Sequence, residues 1–165
     1  MKYTCPALIF ALFRLSNELI NKSTLGVGDS DYEESKHQTS ATNDEDELPM
    51  KLVKVDQVKI FKVINELIGL IKAQYPELAL RLFLQGAEAI NRLQNYQELE
   101  ELAYDFCSNS LLIYEEELSD SDAKFSAINL IVATIFNLGC FGPENFDTLI
   151  TNSVSYCSKL LKKPS

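Results

Sequence analysis

Few side chains in this 165-residue sequence are suited to chemistry, and their spacing keeps them apart. The single histidine, His37, falls in a polar, acidic stretch, which removes the commonest general base from any apolar cleft. The four cysteines, Cys5, Cys107, Cys140 and Cys157, form no CxxC pair and lie in apolar helical context. A structural zinc needs ligands that converge, so the spacing predicts no metal site and no cofactor. Free thiols buried as small hydrophobes in a reducing compartment are the expectation instead. Gly139-Cys140-Phe141-Gly142 carries two glycines, but it follows a helical pattern and no lysine follows it, so it reads as a turn. With no nucleophile–base pair, no paired carboxylates and no phosphate-cradling loop, the sequence predicts a protein that is not an enzyme.

The charged clusters point elsewhere. Glu115, Glu116 and Glu117 occupy successive positions at the end of a predicted helix. Successive helical side chains splay by about 100°, so the three cannot close on one ion. Carboxylates at a helix C-terminus also oppose its dipole. The triplet is therefore either a solvated helix end or a surface that meets a basic partner. Asp120 stands in the next turn, where it or Ser119 is placed to cap the following helix. Lys159, Lys162 and Lys163 close the last helix, where cations favour the dipole.

Hydrophobic periodicity of about 3.6 residues gives helix almost throughout, with no strand alternation in competition. The pattern predicts helices over Pro6–Asn21, Asp56–Gln74, Pro76–Leu93, Gln97–Leu118, Ser121–Leu138 and Pro143–Leu161. Prolines at 6, 76 and 143 suit first helical turns. No charge occurs between Phe125 and Pro143. Ser126, Asn129, Thr134 and Asn137 interrupt that run, so a central helix covered on most sides is expected rather than a membrane span. Wide apolar stripes favour stacked helical hairpins over a closed bundle. The fold class expected is all-α: a HEAT-like α-solenoid fragment of about six antiparallel helices, a single segment over 1–165.

Within it, residues 23–52 read as an acidic insertion. Between 23 and 50 there are eight acids against the one base Lys36, a net −7 of the chain's −9. The stretch has too few apolar groups to offset the entropy of ordering, so it is expected to be disordered. It is open to phosphorylation, or is a tolerated surface insertion. The remainder is nearly neutral. It lacks the basic face that nucleic acid requires and the Lys/Arg-rich amphipathic helix that direct membrane binding requires. The opening Met1–Pro6 and the apolar run after it are interrupted by Arg14 and Glu18, with no small-residue cleavage site. The expected compartment is the cytosol.

Several separated blocks resemble one family. Arg81-Leu82-Phe83-Leu84-Gln85-Gly86-Ala87, Ala103-Tyr104-Asp105-Phe106, Tyr114-Glu115-Glu116-Glu117-Leu118-Ser119-Asp120-Ser121 and Ser158-Lys159-Leu160-Leu161-Lys162-Lys163-Pro164 are similar to the vacuolar protein sorting-associated protein 35 family. These proteins are the large subunits of retromer. The opening Tyr3-Thr4-Cys5-Pro6 fits the same pattern, and the chain resembles a piece of the family's C-terminal half. The resemblance implies a non-catalytic scaffold, cytoplasmic and peripheral to endosomal membranes, in a coat that sorts protein cargo. It implies docking of the small phosphoesterase-like retromer subunit. The medium, arrestin-like subunit would bind through repeats that precede this segment. It also implies self-association at one edge, with acids Glu115, Glu116 and Glu117 facing bases Lys159, Lys162 and Lys163. Asp120 matches a position linked to recruitment of actin-nucleating machinery. The chain departs from the family in the acidic insertion and after Ala87, where Glu88, Asn91 and Arg92 replace mostly small residues. The alternative from the residues alone is a free-standing helical bundle enclosing an apolar ligand.

Overall fold

The computed structural model describes residues 4–25, 57–93 and 97–162. The described residues form six helices: α1 (Thr4–Leu25), α2 (Gln57–Ile71), α3 (Pro76–Asn91), α4 (Gln97–Glu116), α5 (Ser121–Asn137) and α6 (Pro143–Leu161). Pro76 and Pro143 each open a helix, where a missing N–H costs nothing. Asp120 caps α5, its Oδ2 accepting from the Ala123 N–H at 2.8 Å. The first helix runs further than the periodicity implies. Thr4 lies in its first turn, and residues 23–25, expected to begin the insertion, remain helical. Residues 26–52 of the expected insertion, His37 among them, lie outside the described residues.

The order of packing decides between bundle and stack. Each helix packs against the next, and also against the one after it: α1 with α3, α2 with α4, α3 with α5, α4 with α6. Among the described residues, α6 meets neither α1, α2 nor α3. A closed bundle would bring its last helix back to its first. Two layers, α1–α3–α5 and α2–α4–α6, instead extend as an open α-solenoid.

Three rings join the layers at the centre. Phe106 of α4 stands edge-on to Phe61 of α2 (6.4 Å between centroids) and to Phe83 of α3 (5.8 Å). All three are essentially inaccessible to water. Burial of one such ring is worth roughly 1.5–3 kcal/mol, and each edge contact adds roughly 0.5–1.5 kcal/mol. Gly86 lets α3 approach the Phe106 ring directly. Asn65 of α2 and Asn109 of α4 bridge by a 3.2 Å side-chain bond.

Two expectations about packing need correction. Helix α5 is not covered on most sides, since Phe125 is 58% and Phe136 63% exposed. As a member of the odd layer it packs, among the described residues, on α3, α4 and α6, and these leave its Phe125 and Phe136 face uncovered. On α6, apolar spacing predicts a buried side of Phe146, Leu149, Ile150, Val154, Cys157 and Leu161, yet Val154 is 57% and Leu161 81% exposed; the buried positions are Leu149 and Ser153, with Phe146, Ile150 and Cys157 half-buried. Ser153 tolerates burial because its hydroxyl donates to the Leu149 carbonyl at 2.8 Å.

Candidate protein-binding edge

Helices α4 and α6 run side by side in the same direction, tied at both ends. At their starts, a Glu100 carboxylate oxygen accepts from the Gly142 N–H at 2.6 Å and from the Asn145 amide at 3.0 Å. The Gly142 bond, then the Asn145 bond, hold the Glu100 carboxyl below its usual value. At their ends, the Tyr114 and Tyr156 rings meet at 5.1 Å, and the Tyr156 hydroxyl donates to Glu115 Oε2 at 2.5 Å. Parallel helices with joined ends place Glu115, Glu116 and Glu117 and the bases Lys159 and Lys162 towards one edge.

That edge is also where α5 begins. Lys124 Nζ lies 5.4 Å from the centre of the Tyr114 ring, and Lys159 Nζ lies 5.1 Å from that of Tyr156. Tyr114, Glu115, Lys124, Tyr156, Lys159 and Leu160 line a cleft of about 140 Å³. Of the residues singled out from sequence, the structure therefore brings Glu115 and Lys159 into one site. Glu116, exposed, ends α4, and half-buried Glu117 lies in the turn after it. The helical splay keeps both out of the cleft lining. Asp120 is exposed and committed to capping α5. Lys162 is exposed at the C-cap of α6, and Lys163 lies outside the described residues.

Sequence reasoning missed Tyr114, Lys124 and Tyr156. Tyr156 stands seven residues after buried Leu149, which keeps it on the packed face of α6. Its partner Glu115 is 41 residues away in sequence, a pairing that periodicity within one helix cannot reveal. Among the described residues no group of three or more His, Cys, Asp or Glu side chains is placed to hold a metal ion. The four thiols are free, and burial pushes Cys107 up to about 12, far from a reactive thiolate. No helix of the described residues is long and apolar enough to cross a membrane.

The sequence model of the vacuolar protein sorting-associated protein 35 family matches residues 1–165, the whole chain. The chain belongs to this family. Vacuolar protein sorting-associated protein 35B of Arabidopsis thaliana is 36% identical over 165 residues, covering 99% of this chain and 18% of its own length. Protein 35A of the same plant is 42% identical over 115 residues, covering 69% of this chain and 14% of its own. The Schizosaccharomyces pombe protein 35 is 38% identical over 88 residues, covering 53% and 10%. The chain thus spans less than a fifth of the length of these relatives.

Proposed function

We propose that this chain is a scaffold segment of the large retromer subunit, without catalysis of its own, acting in protein sorting from endosomes. It docks the small phosphoesterase-like subunit, while the medium, arrestin-like subunit binds elsewhere on the full protein. The observation that carries this reading is the open two-layer array in a chain matched along its whole length by the family. An array of this kind offers long faces rather than an enclosed site. The clefts at α3–α5 and α4–α6 measure about 30 and 140 Å³. Pockets for small ligands run from about 300 Å³ upward, and neither of these two clefts reaches that size.

The edge formed by α4, α5 and α6 serves coat assembly in this reading. Glu115, Glu116 and Glu117 face Lys159, Lys162 and Lys163 of a second copy across a two-fold axis, since a self-complementary patch satisfies both copies at once. Asp120, beside them, contacts actin-nucleating machinery in addition to capping α5. The segment works at the cytoplasmic surface of endosomes through its partners, with neither nucleic acid nor direct membrane insertion involved.

Calorimetric titration of the chain with the small subunit from the same source, at physiological salt, tests the scaffold reading. Saturable binding at micromolar affinity or tighter supports it. A folded chain that gives no heat and no complex on a sizing column removes small-subunit docking from these six helices.

A further inference from the structure

The cleft between α4, α5 and α6 holds two cations that have no counter-ion among the described residues. Lys124, near the start of α5, and Lys159, near the end of α6, both line it, each against a tyrosine ring. Neither makes an ion pair with a described residue. Glu115 is the one carboxylate in the lining, and it is engaged already, accepting from the Tyr156 hydroxyl at 2.5 Å. Two ammonium groups against one engaged carboxylate leave the cleft complementary to an anion. The acid that would match stands beside the cleft but is turned out of it. Glu116, exposed at the end of α4, is one helical step of about 100° from Glu115. It too lacks an ion pair among the described residues, at a helix end whose dipole disfavours a carboxylate. On one chain these cations and this acid do not meet. On two chains related by a two-fold axis they meet twice, because the edge that holds each copy's cleft also presents its Glu116.

We propose that this cleft seats Glu116 of a second copy of the chain, and that Lys124 is the cation that decides the pairing. The inference rests on the two-fold contact read above and deepens it, moving its anchor from the run of bases on α6 to the start of α5. Lys124 is half-buried against the Tyr114 ring, whereas Lys159 is exposed. A partly buried charge is screened less by salt, and its side chain has less freedom to lose on pairing. Glu115 acts as a wall of the seat, its carboxylate held by Tyr156, and Glu116 is the acid presented to the other copy.

Two charge reversals in the whole chain test this, with self-association read by sedimentation equilibrium. In Lys124→Glu the seat meets Glu116 of the other copy with a like charge, and in Glu116→Lys two lysines meet. Each variant alone is expected to self-associate about fivefold more weakly than the parent, since every dimer carries the altered contact twice. Mixed in equal amounts, the two variants are expected to recover the parent affinity, because their heterodimer pairs unlike charges at both contacts. Circular dichroism checks each fold, and recovery on mixing is a result that a misfolded variant does not give. A parent that dimerises while mixing restores nothing, or variants that associate as the parent does, overturn the seat and leave the two-fold contact standing. A parent that stays monomeric removes the two-fold contact and the seat together. Tyr114 and Tyr156 ring shifts in that monomer, on NMR titration with acetyl-Gly-Glu-Glu-Gly-amide, would give the cleft to an acidic segment of another protein instead.

Discussion

Gly86 lies inside α3, where glycine is worth about 1 kcal/mol less than alanine on helix propensity alone. A Cβ there would press into the Phe106 ring, and that ring is blocked on other sides by Phe61 and Phe83. Overpacking of this kind costs roughly 1–3 kcal/mol, so the clash outweighs the propensity gain. Gly86→Ala is expected to lower unfolding stability by about 1 kcal/mol in a urea titration. Gly69 of α2 makes the contrast, because a Cβ there meets nothing within 4 Å. Gly69→Ala is expected to raise stability by about 0.4–1 kcal/mol in the same experiment. Asp120 can be separated in the same way. Asp120→Ala loses the Ala123 bond and about 1 kcal/mol, whereas Asp120→Asn caps nearly as well and keeps the fold. Any partner lost by Asp120→Asn, at unchanged thermal midpoint, is then lost through surface charge. The cap was legible in sequence as a Ser-Asp turn; the Phe106 contact was not, because nothing in the Gly86 neighbourhood names a ring 20 residues away.

Between elements, the tie that fixes α6 beside α4 is a carboxylate at a helix start. Glu100 accepts from Gly142, the N-cap of α6, and from Asn145 in its first turn, and so supplies from another helix the anion that a helix N-terminus favours. Its folded pKa is lowered below the usual 4.5. A lowered carboxyl contributes stability that is fully present above its unfolded pKa and is lost as pH falls through the folded one. Glu100→Gln is therefore expected to be less stable than the parent at pH 7. The gap should narrow on acidification below about pH 4.5, read as converging urea midpoints. A gap that is constant with pH would assign the loss to packing. The helices themselves were readable from apolar spacing, with ends correct to within a few residues. Their outer faces were less so: Val154 and Leu161 sit at inward-looking spacing on α6 yet are open, because spacing gives a stripe's width and not how much of it a neighbour covers.

At the scale of the molecule, an open array has a stability that varies along its length. Each helix is supported only by near neighbours, so opening costs least where neighbours are fewest. Helices α3 and α4 pack most extensively on one another and are flanked on both sides within their layers. Among the described residues they also hold half of the largest fully enclosed side chains: Leu80, Leu82, Phe83, Ile90, Phe106 and Ile113. Helix α6 has one neighbour in its layer and two fully covered positions, Leu149 and Ser153. Native-state hydrogen exchange is expected to show amides of α3 and α4 exchanging only by global unfolding, and those of α6 by cheaper local opening. Because Glu100 joins α6 to α4, Glu100→Gln should speed exchange in α6 and leave α3 unchanged. Uniform protection over all six helices would instead make the fragment one cooperative unit, as in a closed bundle. The edge inherits this gradient. Tyr156 and Lys159 ride on α6, which has a single neighbour in its layer, while Tyr114 and Glu115 ride on one of the best supported helices. A partner that bridges them is expected to lower the exchange of α6 most, its binding being coupled to the ordering of that helix.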